Sequence, residues 1–129
     1  MAAAASVAPI FKIVYDRVRG FLHAFCSEFW MLEDVANYRT ALLPFIREAH
    51  ANFGFVRVLV DRRGCPVQSP EVVDRTRAIG LEVFREHDRF ALVVDSALVR
   101  MQVNRIRARK LSMAFDNIDR AKAWLFEED

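Results

Sequence analysis

The chain predicts a single α/β domain. Its sheet should be mixed and mostly parallel, of about five strands, with an N-terminal antiparallel hairpin and four helices largely on one face. Three observations predict this. A short apolar, β-branched run at 55–60 suits a strand covered on both faces, 90–94 is another buried run, and 111–115 reads as a last short strand. Segments with apolar residues at 3- and 4-residue steps lie between them. A chain of 129 residues is the size of one domain and buries a core without staples.

The elements follow in order. Residues 1–9 are Ala-rich and read as a disordered tail, with the domain spanning 10–129. Phe11, Ile13 and Tyr15 alternate with Lys12, Val14 and Asp16, a strand pattern. Phe21 to Ser27 pairs with it as a hairpin across Gly20. From Leu32 to Asn52 the pattern is helical, with Val35, Tyr38, Leu42, Phe45 and Ala49 on one face. Pro44 removes a backbone donor there, so a kink or break is expected, and neither Met31 nor Leu32 can cap the start.

Phe55 to Val60 is the next strand and Ser69 to Glu86 the next helix. Ser69 suits the cap, Pro70 the first helical position and Glu71 the positive helix end. After a strand at Phe90 to Val94, Ser96 caps a helix running to about Arg107, with Leu98, Met101 and Ile106 facing inward. Leu111 to Phe115 is the last strand. Asn117 caps the last helix, whose stripe is Ile118, Ala121, Trp124 and Leu125. Alternating strands and helices require parallel pairing through right-handed crossovers.

Composition narrows the function. A net charge of +2 lacks the basic excess of a general nucleic-acid binder. The two cysteines, Cys26 and Cys65, fall in no CxxC or metal spacing and read as reduced thiols of a cytoplasmic protein. The N-terminal segment lacks the basic and apolar regions of a signal peptide, and no apolar run approaches the ~20 residues of a membrane span. There is no Gly-rich phosphate loop, GxSxG or HExxH. His23, His50 and His87 are spread through the fold. No catalytic residue, cofactor or metal is therefore expected.

The binding candidates cluster at strand ends, where open α/β sheets hold ligands. Asp61 and Asp95 each end a strand, with Ser96 following Asp95. Two such acids can share a rim as a metal or acid–base pair, or can cap loop amides. Ser69 is a helix cap or, at the same helix end, a phosphoacceptor or anion ligand. Arg100, Arg105, Arg107, Arg109 and Lys110 concentrate positive charge on the third helix and its exit. They suit phosphate, anionic lipid or an acidic partner, or a solvated helix end. Trp30-Met31-Leu32 follows a strand and is either core or an exposed apolar lip; its position after a strand that must pack favours core.

Several strings resemble one family. Gly20-Phe21 with Phe29-Trp30, Val58-Leu59-Val60-Asp61, Pro66-Val67-Gln68-Ser69-Pro70-Glu71-Val72, Ser96-Ala97-Leu98 with Arg100-Met101-Gln102, and Ala123-Trp124-Leu125 carry the likeness. Across residues 10–126 the chain resembles the bacterial SpoIIAA-like proteins of the STAS (sulfate transporter and anti-sigma factor antagonist) superfamily, also called STAS/SEC14-like. The resemblance implies a mixed sheet with helices largely on one face. It also implies a serine at the start of the helix after the third strand, phosphorylated within an Asp-Ser-Ser/Thr-Gly motif in anti-sigma factor antagonists. Here that site reads Gln68-Ser69-Pro70-Glu71, without the acid or the glycine. The SEC14-like side implies a pocket for an apolar or lipid-like ligand and peripheral membrane contact.

The expectation is a non-enzymatic module acting by protein binding or self-association. Its binding element would be the loop Asp61 to Ser69 beside Ser96 and Arg100. The alternative is a carrier or sensor of a small lipid-like ligand.

Overall fold

The computed structural model describes residues 3–8, 10–106 and 112–127. Six strands form one sheet in sequence order: β1 (Ala3–Ala8), β2 (Phe11–Asp16), β3 (Phe21–Cys26), β4 (Arg57–Asp61), β5 (Arg89–Val93) and β6 (Ser112–Phe115). The first three run antiparallel, and β3 to β6 run parallel. The crossovers are α1 (Leu32–Phe53), α2 (Pro70–Val83) and α3 (Ala97–Ile106), with α4 (Ile118–Leu125) following β6. The expected α/β class, hairpin and mixed sheet are present.

The period-2 alternation of β2 explains its place. Phe11, Ile13 and Tyr15 are buried against α1, and the same core takes Leu22, Ala24 and Cys26 of β3 and Val58 and Val60 of β4. Val35, Tyr38, Leu42, Ile46 and Ala49 of α1, Val72 and Ile79 of α2 and Val99 of α3 close it. A strand order that simply follows the chain leaves every crossover on one face, because all crossovers share one hand. The other face needs a separate cover. Ala121 and Leu125 of α4 supply it over Leu59, Ala91 and Val93. Buried Arg89 holds the end of α4, its guanidinium donating to the carbonyls of Trp124 (2.9 Å) and Glu127 (2.6 Å).

Three expectations are corrected. The Ala-rich residues 1–9 suggest a disordered tail, but Ala3–Ala8 is an edge strand in register with β2, from Ala3 opposite Asp16 to Ala8 opposite Phe11. Edge pairing uses backbone groups, so a run of alanines joins a sheet without showing any apolar alternation. Pro44 does not break α1, which runs unbroken from Leu32 to Phe53. Pro44 is exposed, so water solvates the carbonyl it leaves unpaired. Leu98 and Met101 do not face inward. Both are 63% exposed, and Val99 is the buried residue of α3; the side chain of Ile106 lies outside the described residues.

The start of α1 is also capped, though by neither Met31 nor Leu32. The Asp34 carboxylate accepts the Met31 N–H at 2.7 Å, half of a capping box formed without a capping side chain.

Candidate functional site

The carboxyl ends of β3, β4 and β5 carry three connections: residues 27–31, 62–69 and 94–96. The middle one is shaped by two acids. Asp61, buried at the end of β4, accepts the backbone N–H of Arg63 (3.0 Å) and both its Nε (3.0 Å) and a terminal guanidinium nitrogen (2.8 Å). Burial alone would raise its pKa, but these hydrogen bonds and the Arg63 charge outweigh it and hold the carboxyl below its ordinary value. Asp95 accepts the N–H of Gly64 on both oxygens (3.2 and 3.1 Å). Gly64 adopts φ +76°, which glycine takes without a Cβ penalty. The two acids thus lie on one rim, as expected, and each is spent on loop geometry.

Ser69 caps α2, its Oγ accepting the Val72 N–H at 3.3 Å, a contact worth ~1 kcal/mol. Ser96 holds the start of α3 likewise, with its Oγ accepting from Val99 (3.4 Å) and its carbonyl from Arg100 (2.9 Å). Arg100 is exposed. Arg105 lies on α3, its side chain outside the described residues, as are Arg107, Arg109 and Lys110 altogether. Trp30 belongs to the core and not to a lip. It is 1% exposed, its indole N–H donates to the Ser27 carbonyl (2.8 Å), and its ring packs on Tyr38 (5.1 Å between centroids).

Sequence reasoning missed the residue that ties the rim together. Gln68 is buried, and its amide oxygen accepts the Trp30 N–H (2.8 Å). Its amide nitrogen donates to the carbonyls of Glu28 (2.9 Å) and Pro66 (3.2 Å). From α3, the Gln102 amide clasps the Gln68 backbone in both directions, at 2.7 and 2.6 Å. Glu28 sits at φ +66°, which costs about 1–2 kcal/mol for a non-glycine. One glutamine therefore fastens the β3–α1 connection, and a second fastens α3, to the β4–α2 loop. The only local signal was an uncharged polar residue directly before a helix cap.

On this frame the rim exposes large apolar side chains. Phe29, Met31 and Leu32 flank the buried Trp30, Val67 adjoins Gln68, and Leu98 and Met101 flank Gln102's helix; their exposures run from 39% for Leu32 to 64% for Met31. Beside them, an open cleft of about 280 Å³ is lined by Lys12, Phe25, Cys26, Ser27, Asp61 and Arg63 among others. Among the described residues, no group of three or more His, Cys, Asp or Glu is placed to hold a metal ion. No helix among them is long and apolar enough to cross a membrane.

His23 lies on the α4 face of β3, stacked on Phe25 at 4.1 Å, with its Nε2 buried and, among the described residues, without a hydrogen-bond partner. Burial, then the charge of Lys122, holds the imidazole down at about 4, against the pull of Asp61. The unfolded chain takes up this proton first, near the ordinary 6.5, so the contribution of His23 to stability falls as pH drops from 6.5 to 4 and is constant above that window. With allowance for its partial exposure, the loss is about 2 kcal/mol. Urea unfolding at pH 7 and pH 4 should show His23→Gln losing less stability than the wild type by about that amount. Equal losses in the two proteins would refute it.

Comparison of the chain with protein-family models, with curated proteins and with solved structures found no match.

Proposed function

We propose that the protein is a non-enzymatic, cytoplasmic interaction module of the SpoIIAA-like STAS type, acting by binding a protein at the carboxyl rim of its sheet. The observation that supports this is the exposed apolar rim of Phe29, Met31, Leu32, Val67, Leu98 and Met101, held on a hydrogen-bonded frame. Scattered apolar residues on a surface need no explanation, but several on three connected segments mark a contact surface. A rigid frame adds to affinity because little ordering is left to be done on binding. The family resemblance and the α/β order agree with this reading.

The second reading is a carrier or sensor of a lipid-like ligand that touches membranes. It draws on Leu98, Met101 and exposed Arg100 sharing one helix, an apolar and cationic combination that suits anionic bilayers.

One triple variant, Met31→Asp with Leu98→Asp and Met101→Asp, tests both. These side chains are exposed, so stability should stay within about 0.5 kcal/mol of the wild type. In pull-downs from the native host, the protein reading expects a specific partner retained by wild type and by Ser69→Asn but lost with the triple variant. Partners retained equally by all three would refute rim docking. Flotation with anionic vesicles, lost in the variant and weakened by salt, would transfer the rim to the membrane reading.

A further inference from the structure

Arg62 directly follows β4, and its N–H donates to the Val93 carbonyl at 2.8 Å, continuing the ladder to β5. Strand alternation sends its side chain to the face opposite Asp61, toward the core that α1 and α2 cover. The residue is only 5% exposed. Its Nε is buried and, among the described residues, has no hydrogen-bond partner. Among the described residues no carboxylate pairs with it: Asp61 is held by Arg63, and Asp88 by His50. Arginine does not escape burial by losing its proton, so an unmatched guanidinium here is strongly unfavourable.

The polar groups whose titration feels the Arg62 charge are Cys26 and Tyr38. Burial pushes the Cys26 thiol up to about 11 and the Tyr38 phenol well above its ordinary value. Both are neutral at physiological pH and supply no counter-charge. The hydroxyl and the thiol hydrogen-bond each other, which engages one of their two donors and leaves the other for a ligand, beside the aromatic wall that Tyr38 forms with Trp30.

We infer that Arg62 is the cation of a binding site for a small anion, a carboxylate or phosphate group, at the carboxyl ends of β3 and β4, with Tyr38 and Cys26 as its neutral neighbours. The guanidinium fork matches such a group with paired hydrogen bonds, and the anion supplies the missing charge. The site does not depend on a protein docking at the apolar rim. The same group is found on free metabolites and on lipid headgroups, and both sources are tested.

The experiment uses the full chain at low ionic strength. Its melting temperature is followed against sodium phosphate, sodium acetate and octyl phosphate, with sodium chloride at matched ionic strength as control. The Arg62 side-chain Nε–H resonance is followed by NMR in the same titrations. The expected result is a saturable rise in melting temperature beyond chloride, with a matching shift of that resonance. Arg62→Met should abolish the rise while melting at or above the anion-free wild type, since an unmatched buried charge has gone. Arg62→Lys keeps the charge without the fork and should weaken binding by about tenfold or more, as for a lost hydrogen bond to a charged group. Inorganic phosphate binding as tightly as octyl phosphate assigns a free anion; preference for octyl phosphate, reproduced by phosphatidic acid vesicles, assigns a headgroup. The proposal is overturned if no probe exceeds chloride and the resonance does not move, or if Arg62→Met retains the wild-type response. Should Arg62→Met fail to fold, the wild-type resonance and Arg62→Lys decide the matter.

Discussion

Trp30→Ala is expected to lower the unfolding free energy by about 3–5 kcal/mol, the range for truncating a buried aromatic. Trp30 is among the largest fully buried side chains of the protein. It packs between Phe11 (6.0 Å between centroids) and Tyr38, so its loss opens a hole where β2, α1 and the β3–α1 connection meet. The Ser27 carbonyl also loses its indole donor. A collapsing core would recover little of this, because Phe11 and Tyr38 are anchored on different elements. Guanidinium unfolding in a Trp124→Phe background gives the number and keeps Trp30 as the fluorophore of the reference protein. A loss under about 1 kcal/mol, with altered vesicle or partner binding, would return Trp30 to the surface.

Gln68→Ala should cost about 2–4 kcal/mol, more than any surface change of similar size. The substitution leaves the Trp30 N–H without its partner and the Glu28 carbonyl with only the weak Cys65 thiol donor at 3.8 Å. An orphaned buried group costs ~1–3 kcal/mol, and the lost side-chain volume adds to it. Gln68→Glu should be no better at neutral pH. It retains an acceptor for Trp30 but loses the amide donor to Glu28 and buries a charge. Gln102→Ala should cost less, because the backbone of Gln68 can turn to water once α3 loosens. Chemical denaturation measures all three. Hydrogen exchange adds the location: amides of 28–31 and 62–69 should lose protection together in Gln68→Ala, whereas independent exchange would show that the clasp does not couple the segments.

Much of this protein was legible in the order of its residues. Strand alternation in Phe11 to Asp16, the buried runs that became β4 and β5, and the Ser69 and Asn117 caps are local patterns with one physical reading each. The Asn117 side chain does accept the Arg120 N–H, at 3.0 Å. The rim was legible too, since Asp61 and Asp95 end neighbouring parallel strands. The inward face of α3 was not. Val99 and Leu98 are adjacent aliphatics on a short helix, and only the position of the sheet beneath decides which is buried.

By itself the sequence determined where β2 to β6 and the four helices form, because periodicity and capping act within a few residues. It also determined the sheet's parallel body, because chirality leaves crossovers one hand. The tertiary structure alone decided the pairing of β1, the burial of Trp30 and the clasp through Gln68. Each depends on partners far away in the chain: Gln68 meets Trp30 across 38 residues and Gln102 across 34. It also placed the Arg62 guanidinium in the interior, with no carboxylate paired to it among the described residues. No local pattern encodes such contacts, since the energy of a buried polar group depends on what the fold brings within hydrogen-bonding distance.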